Sequence, residues 1–303
     1  MVSARNLARI TRAALRSRGG VHLLLEPVAR NTAAAVAWAA ARVAREAEGG
    51  VIAVLPADHH IPSPREFVRT LRRAARSAQD GEHLVLIGIE PTRPDTAYGY
   101  LRVGTPGSDG VASVRRFVEK PDVARARRYV GGGQYLWNAG MVVGTAQRIL
   151  AETRAHAPEV WKPLGGVLSA IADGRRVVSA RLEAAYRRVP AISFDHAVLE
   201  RSRRVRALRG RFAWSDLGSW DALARHLPSV AGNRVRGPRP AATMDASGNV
   251  VWNTSGRALA LLGVRGLVVI ETPDALLVCA QERAQDVRRI VDELHKRGRK
   301  DLT

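Results

Sequence analysis

Three continuous apolar runs, separated by segments of helical periodicity, constrain the fold most. Val21–Leu25 (VHLLL), Val51–Leu55 (VIAVL) and His83–Ile89 (HLVLIGI) read as strands without polar alternation. Such runs fit a parallel sheet covered on both faces. Between the first two, Val36, Ala40, Val43 and Ala47 recur at helical spacing after Asn31-Thr32, either of which can cap the helix. Between the second and third, Ser63-Pro64-Arg65-Glu66 combines an N-cap serine, proline at N1 and glutamate at N3. Ser3 is suited to cap an earlier helix running to about Arg18. This alternation predicts an α/β layered fold, Rossmann-like, with a mostly parallel sheet and flanking helices.

The texture changes near residue 234. Short apolar stretches at 250–252, 258–262, 267–270 and 276–279 are separated by Gly and Asn/Asp turns, and a last helix carries Val287, Ile290, Val291 and Leu294 on one face. Two domains are expected: 1–233, and a small β-rich domain with a closing helix over 234–303. No long-period repeat is evident.

Composition narrows the function. The 303 residues carry a net charge of +20, which points first to a polyanion partner. Only four of the 48 basic residues are lysines (Lys120, Lys162, Lys296, Lys300); the other 44 are arginines spread along helical segments rather than gathered in an arm. That pattern speaks against nucleic acid. No apolar run approaches the roughly eighteen residues of a membrane span. The single cysteine, Cys279, has no internal partner for a disulfide. A cytoplasmic setting and no membrane partner are the expectation.

In an open α/β sheet, ligands bind beyond the carboxyl ends of the strands. Glu26-Pro-Val-Ala-Arg-Asn-Thr32 and Pro56-Ala-Asp-His-His60 occupy two such ends. From position alone Asp58 suits either Mg²⁺ or a turn, and His59-His60 lack further ligands for a transition metal. Four later segments follow in order: Thr92-Arg-Pro-Asp-Thr-Ala-Tyr-Gly-Tyr100, Phe117-Val-Glu-Lys-Pro-Asp122, Tyr135-Leu-Trp-Asn-Ala-Gly-Met141 and Trp214-Ser-Asp-Leu-Gly-Ser-Trp220. Together they resemble the sugar-nucleotide pyrophosphorylases, most closely the mannose-1-phosphate guanylyltransferases, over nearly the whole chain.

The resemblance implies GTP and mannose 1-phosphate as substrates and GDP-mannose as product, by in-line attack assisted by Mg²⁺. It implies Asp58 and Asp216 as catalytic metal carboxylates, and Lys120 as the catalytic lysine that neutralises the sugar phosphate. Glu119 and Asn138 suit sugar hydroxyls, and Gly99 lets the backbone approach the sugar. Glu26 suits guanine N1–H and the exocyclic amine. Asn31 and Thr32 suit the nucleotide, the helix cap or both, and Asp195 in SFDHAVLE is either sugar-side or an N-cap. The family's Gly-Gly-x-Gly-Thr-Arg phosphate loop occurs nowhere in the 303 residues, so the chain is expected to begin after it and to turn over weakly or not at all alone. The alternative is a non-catalytic regulatory subunit that binds sugar nucleotide. The β-rich tail can pack on its own sheet domain or on a second copy, which leaves a homodimer open.

Overall fold

The alternating pattern folds as two compact units in a computed structural model that describes residues 1–238, 240 and 242–302. Residues 1–57 and 61–214 form the first unit, and residues 58–60 with 215–303 form the second. Packing thus joins residues 58–60 and 215–233 to the second unit, where His60 and Ser215 pair through backbone hydrogen bonds (2.8 and 3.1 Å).

In the first unit, β1 (Val2–Ala4) pairs in parallel with β2 (Leu24–Glu26) as a separate two-stranded sheet. Ser3 thus lies in a strand rather than capping a helix. The ladder to Leu24 and Leu25 claims Val2-Ser3-Ala4, and α1 (Ala8–Leu15) starts only after a short 3₁₀ turn. Next, α2 (Asn31–Glu46) buries an alanine-rich face of Ala33, Ala34, Ala37, Ala40 and Ala41. Small side chains allow close packing there, and the same core cluster includes Ile149, Leu164 and Leu168 from later helices.

The elements that follow are β3 (Val51–Val54), α3 (Pro64–Ala78), β4 (Leu84–Ile89), β5 (Tyr100–Val103), β6 (Val111–Val118), α4 (Val123–Gly131), β7 (Tyr135–Thr145), α5 (Ala146–His156), α6 (Pro158–Ala172), α7 (Ser179–Arg187), a π-helical turn at Asp195–Leu199, and β8 (Val205–Gly210). Six of these strands form one sheet in the order β3-β7-β4-β8-β6-β5, with β5 also paired to β7.

The layered α/β class with flanking helices is as expected, but the strand directions are not. Within this sheet only β4–β8 is parallel; β3–β7, β4–β7, β5–β6, β5–β7 and β6–β8 are antiparallel. The eleven-residue β7 accounts for three of these pairings by running opposite to β3, β4 and β5, and β6 accounts for the other two by running opposite to β5 and β8. All six residues of β4 are buried, as its sequence requires. The equally apolar β3 lies at the sheet edge, where its residues are half-buried or exposed. The sequence pattern also missed β8, α6 and α7.

The second unit holds α8 (Trp220–Ala224), β9 (Ser229–Val230), β10 (Asn233–Arg236), β11 (Ala242–Met244), β12 (Val250–Asn253), β13 (Ala260–Leu262), β14 (Leu267–Glu271), β15 (Leu276–Ala280) and α9 (Val287–Lys296). Successive strands alternate between two sheets. β10, β12 and β14 are parallel neighbours in one, and β11 and β13 are parallel neighbours in the other. The chain thus coils, and there is a repeat after all. Gly232, Gly248 and Gly266 each enter a strand with positive φ (75°, 68° and 63°). The buried Asn233 and Asn249 stack one coil above the other. Asn233 Oδ1 accepts from the Asn249 amide and backbone N–H, and Asn249 Oδ1 accepts from Leu267 N, in steps of 16 and 18 residues. Two buried amides are satisfied together this way. No helix among the described residues is long and apolar enough to cross a membrane.

Candidate functional site

In the first unit, five of the expected residues converge at one place. The Thr92–Tyr100 segment is folded back on itself. Tyr100 donates its hydroxyl to Asp95 O (2.9 Å) and accepts from Asp95 N, while Asp95 pairs with Arg93 at 2.7 Å. The Arg93 guanidinium lies 5.0 Å from the ring centre of the buried Trp137. This packing presents Gly99, whose carbonyl accepts from Asn138 N at 2.8 Å. A Cβ on Gly99 would stand 2.7 Å from Glu119 Oε2 and 3.3 Å from the Phe117 ring, so glycine leaves room for the carboxylate in its present position.

Asn138 lies where β7 leaves its ladder. Between the pairs Leu86–Val142 and Gly88–Asn138, two steps along β4 match four along β7. A bulge of this kind re-aims a side chain. The Asn138 amide donates to Asp195 Oδ1 at 2.7 Å, and its carbonyl oxygen accepts from Gly140 N at 3.2 Å. Asp195 opens the π-helical turn and is not its cap, a position held by Phe194. Burial pushes the Asp195 carboxyl above the usual range. Partial burial does the same for Glu119, opposed by Lys120 and reinforced by Asp195 and Glu200.

Lys120 ends this cluster. Its Nζ is 3.8 Å from Glu119 Oε1, and its side chain is 65% exposed, so the ammonium is available to a ligand. Its backbone is left-handed, with φ 45°, immediately before Pro121. That conformation is costly for a non-glycine residue and typical of strained functional positions.

Glu26, Asn31 and Thr32 sit on a second wall of the same unit. Arg30, to which the sequence assigned no role, ties this loop to the end of α7 by donating to Tyr186 O and Arg187 O (3.2 and 2.8 Å). Thr32 Oγ1 accepts from Phe194 N at 2.9 Å, which joins the loop to the turn that carries Asp195. Neither Asn31 nor Thr32 caps α2; Arg30 holds the cap position without a side-chain bond. Asn31 is exposed and left-handed, with φ 60°.

Glu26 is only 8% exposed, and its Oε1 has no hydrogen-bond partner; nor has the hydroxyl of the fully buried Tyr186. Burial raises both groups. The nearby Tyr186 partly offsets this for Glu26, and Glu26 lifts Tyr186 further. The Tyr186 hydroxyl is the donor nearest this carboxyl, which leaves Glu26 further acceptor capacity for a ligand that brings N–H groups.

The Glu26 carboxyl therefore binds its proton more tightly in the folded than in the unfolded chain. Its contribution to stability is present below the usual glutamate range and lost as pH rises through the raised folded value. Glu26→Gln is expected to stabilise the protein at pH 7 by about 1 kcal/mol, with the gain vanishing near pH ~4. Thermal melts at the two pH values check this; a variant less stable than the parent at pH 7 refutes it.

The second unit holds Asp58 and Asp216. The turn Ser215–Gly218 is tight: Leu217 is left-handed (φ 51°), Leu217 N donates to Ser215 Oγ, and Gly218 N donates to Asp216 Oδ1 at 3.0 Å. The His60–Ser215 bridge ties the segments bearing the two carboxylates together. His59, half-buried, senses both: burial lowers its imidazole, while Asp58 and Asp216 pull it up. The rings of His60 and His226 meet at 4.3 Å. Among the described residues no three His, Cys, Asp or Glu side chains are grouped to hold a metal by themselves. The aromatic residues of the motifs pack in or against the hydrophobic cores. Trp137 and Trp214 flank Tyr98, with ring centres 5.1 and 5.0 Å from it, and Trp220 packs on Trp252.

Comparison with known proteins places the chain in a family. A nucleotidyl transferase family model matches residues 5–231, and a MannoseP isomerase/GMP-like beta-helix domain model matches residues 241–294. Alginate biosynthesis protein AlgA of Pseudomonas aeruginosa is 36% identical over 284 residues, covering 92% of this chain and 58% of that protein. A mannose-1-phosphate guanylyltransferase of Klebsiella pneumoniae is 36% identical over 284 residues, covering 92% and 59%. The chain thus spans less than two thirds of the length of these relatives. A crystal structure described as a mannose-1-phosphate geranyltransferase from Thermus thermophilus superimposes with a TM-score of 0.82 at 34% identity, over 97% of this chain and 83% of that one. The motif order, the coiled C-terminal strands and these matches lead to one assignment: the chain belongs to the nucleotidyl transferase family and carries a C-terminal segment of the GMP-like beta-helix type.

Proposed function

We propose that this protein transfers a guanylyl group from GTP to mannose 1-phosphate, giving GDP-mannose and pyrophosphate. The observation that carries the reading is the cluster of Gly99, Glu119, Lys120, Asn138 and Asp195. It joins an exposed ammonium to hydroxyl-binding groups beside a backbone stripped of its Cβ. A sugar phosphate needs such a combination. The names of the relatives support the sugar and the nucleotide.

In this reading the sugar phosphate oxygen attacks the α-phosphorus of GTP as pyrophosphate leaves, and the protein works by positioning and charge neutralisation. Lys120 neutralises the sugar phosphate. Asn138 and Glu119 hold hydroxyls. The buried Glu26 carboxylate accepts from guanine N1–H and the exocyclic amine, a donor pair that adenine does not present. Asp58 and Asp216 would hold Mg²⁺. Two carboxylates suit this ion, which is bound through one or two of them and fills its shell with water and phosphate oxygens. When bound, it would supply charge stabilisation at the phosphates.

Residues 1–303 contain no Gly-Gly-x-Gly-Thr-Arg loop to hold the triphosphate. Turnover by these residues alone is expected to be at least about a hundred-fold slower than by a version carrying such a loop ahead of β1. A coupled pyrophosphate assay on the two forms makes the comparison, and equal rates would remove the loop from the reading. Tight GDP-mannose binding in calorimetry, with no turnover by either form, would favour a sugar-nucleotide-binding regulatory subunit instead. Chains expressed together with a complete relative would then show altered turnover of that relative.

A further inference from the structure

The Asn138 side chain is held by two bonds of opposite sense. Its amide nitrogen donates to Asp195 Oδ1 at 2.7 Å, and its oxygen accepts from Gly140 N at 3.2 Å. Rotating the amide by half a turn would set its NH₂ against the Gly140 N–H and its oxygen against the Asp195 carboxylate. Both contacts would then be repulsive, so only one orientation is allowed. Of the two bonds, the one to a carboxylate is the shorter and the stronger.

Asp195 is itself well fixed. It begins the π-helical turn, whose Glu200 N–H donates to the Asp195 carbonyl at 3.0 Å. The preceding Phe194 N–H is anchored on Thr32 Oγ1 at 2.9 Å. What the amide has left for a ligand is one N–H and one oxygen lone pair, in a fixed left–right order beside Glu119 and Gly99. A sugar hydroxyl can donate or accept, so the fixed amide selects by where two neighbouring hydroxyls lie, and an epimer moves one of them out of its reach.

We infer that Asp195 is a positioning residue which locks the Asn138 amide in one orientation and thereby sets discrimination among hexose 1-phosphate epimers. This rests on the proposed sugar-phosphate reading of the cluster, but the lock is a property of the chain that can be tested without substrate.

The experiment uses the parent chain with Asp195→Ala and Asp195→Asn. In NMR spectra, the Asn138 side-chain amide protons are expected to give a widely separated pair in the parent and in Asp195→Asn, whose oxygen can still accept. In Asp195→Ala the separation collapses. In parallel, calorimetry measures binding of mannose 1-phosphate and of its C2 epimer glucose 1-phosphate, and turnover by the loop-bearing form gives kcat and KM for each. Loss of the lock is expected to reduce the preference between epimers by about ten-fold or more in Asp195→Ala, through KM and binding rather than kcat. Asp195→Asn keeps it within about three-fold.

An unchanged Asn138 signal in Asp195→Ala, or epimer preference retained while only kcat falls, overturns the inference. So does a loss as large in Asp195→Asn as in Asp195→Ala. A parent chain that binds neither sugar phosphate, yet shows the Asn138 change, refutes the sugar reading and the discrimination with it, while leaving the lock established.

Discussion

Asp216→Ala is expected to lower Mg²⁺-dependent turnover of the loop-bearing form by at least about a thousand-fold without unfolding it. The turn that carries this residue explains both halves of the result. Gly218 N holds Asp216 Oδ1, so the backbone of the turn orients the carboxylate that the cation would meet. Leu217 closes the turn at the cost of a left-handed backbone. Removing the carboxylate leaves the His60–Ser215 bridge, which is made by backbone atoms, in place. Steady-state rates at graded Mg²⁺, with a thermal melt beside them, decide the matter. Activity within a few-fold of the parent would remove Asp216 from the metal role. Asp58→Ala should behave alike, since the two segments are tied by that bridge.

The second large effect is expected at Lys120. Lys120→Met should reduce kcat/KM for mannose 1-phosphate by about a hundred- to a thousand-fold, and Lys120→Arg should recover little of it. The ammonium is a compact point charge on a flexible stem, whereas a guanidinium is a planar fork that demands its own geometry. The left-handed backbone at Lys120 fixes where the stem begins, and Glu119 at 3.8 Å limits where the charge can go. Rates that are indifferent to the methionine variant would place the phosphate elsewhere. A fully active arginine variant would show that charge alone is required, not shape.

The members of the cluster could be named from the sequence chiefly through the resemblance their ordered motifs carry. A lysine in a chain dominated by arginine, an asparagine in Trp-Asn-Ala-Gly and a glycine between two tyrosines are each unusual for their surroundings. What the residue types do not contain is backbone conformation. Asn31, Lys120 and Leu217 are three of the five left-handed non-glycine residues among those described, and of these only the asparagine is of a type that favours the region.

Strand direction was hidden for a related reason. A continuous apolar run says that both faces are covered, not which way the neighbours run. β7 could therefore enter antiparallel beside β4 without leaving a mark in VIAVL or HLVLIGI. Ser3 was misread because a cap signal is local, while the β1–β2 ladder that overrides it is made with Leu24 and Leu25. The coil repeat of the second unit was visible only as Gly-Asn at 232–233 and 248–249, since the third coil has leucine where the others have asparagine. Glu26 and Asp195 lie at the other extreme. Their identity was plain, but the burial of one and the amide partner of the other exist only once distant segments meet.

The membership of residues 58–60 in the second unit has a consequence for anyone dissecting this protein. The gene has no single place at which to separate the two units. A break after Trp214 would give one fragment that retains Asp58 as a dangling loop, and another that holds Asp216 beside a Ser215 without its bridge partner His60. Each half would be a poor imitation of the unit it was meant to isolate. Modularity in this chain is spatial rather than linear, and a faithful second unit calls for a circularly permuted or grafted design that brings the 58–60 segment along.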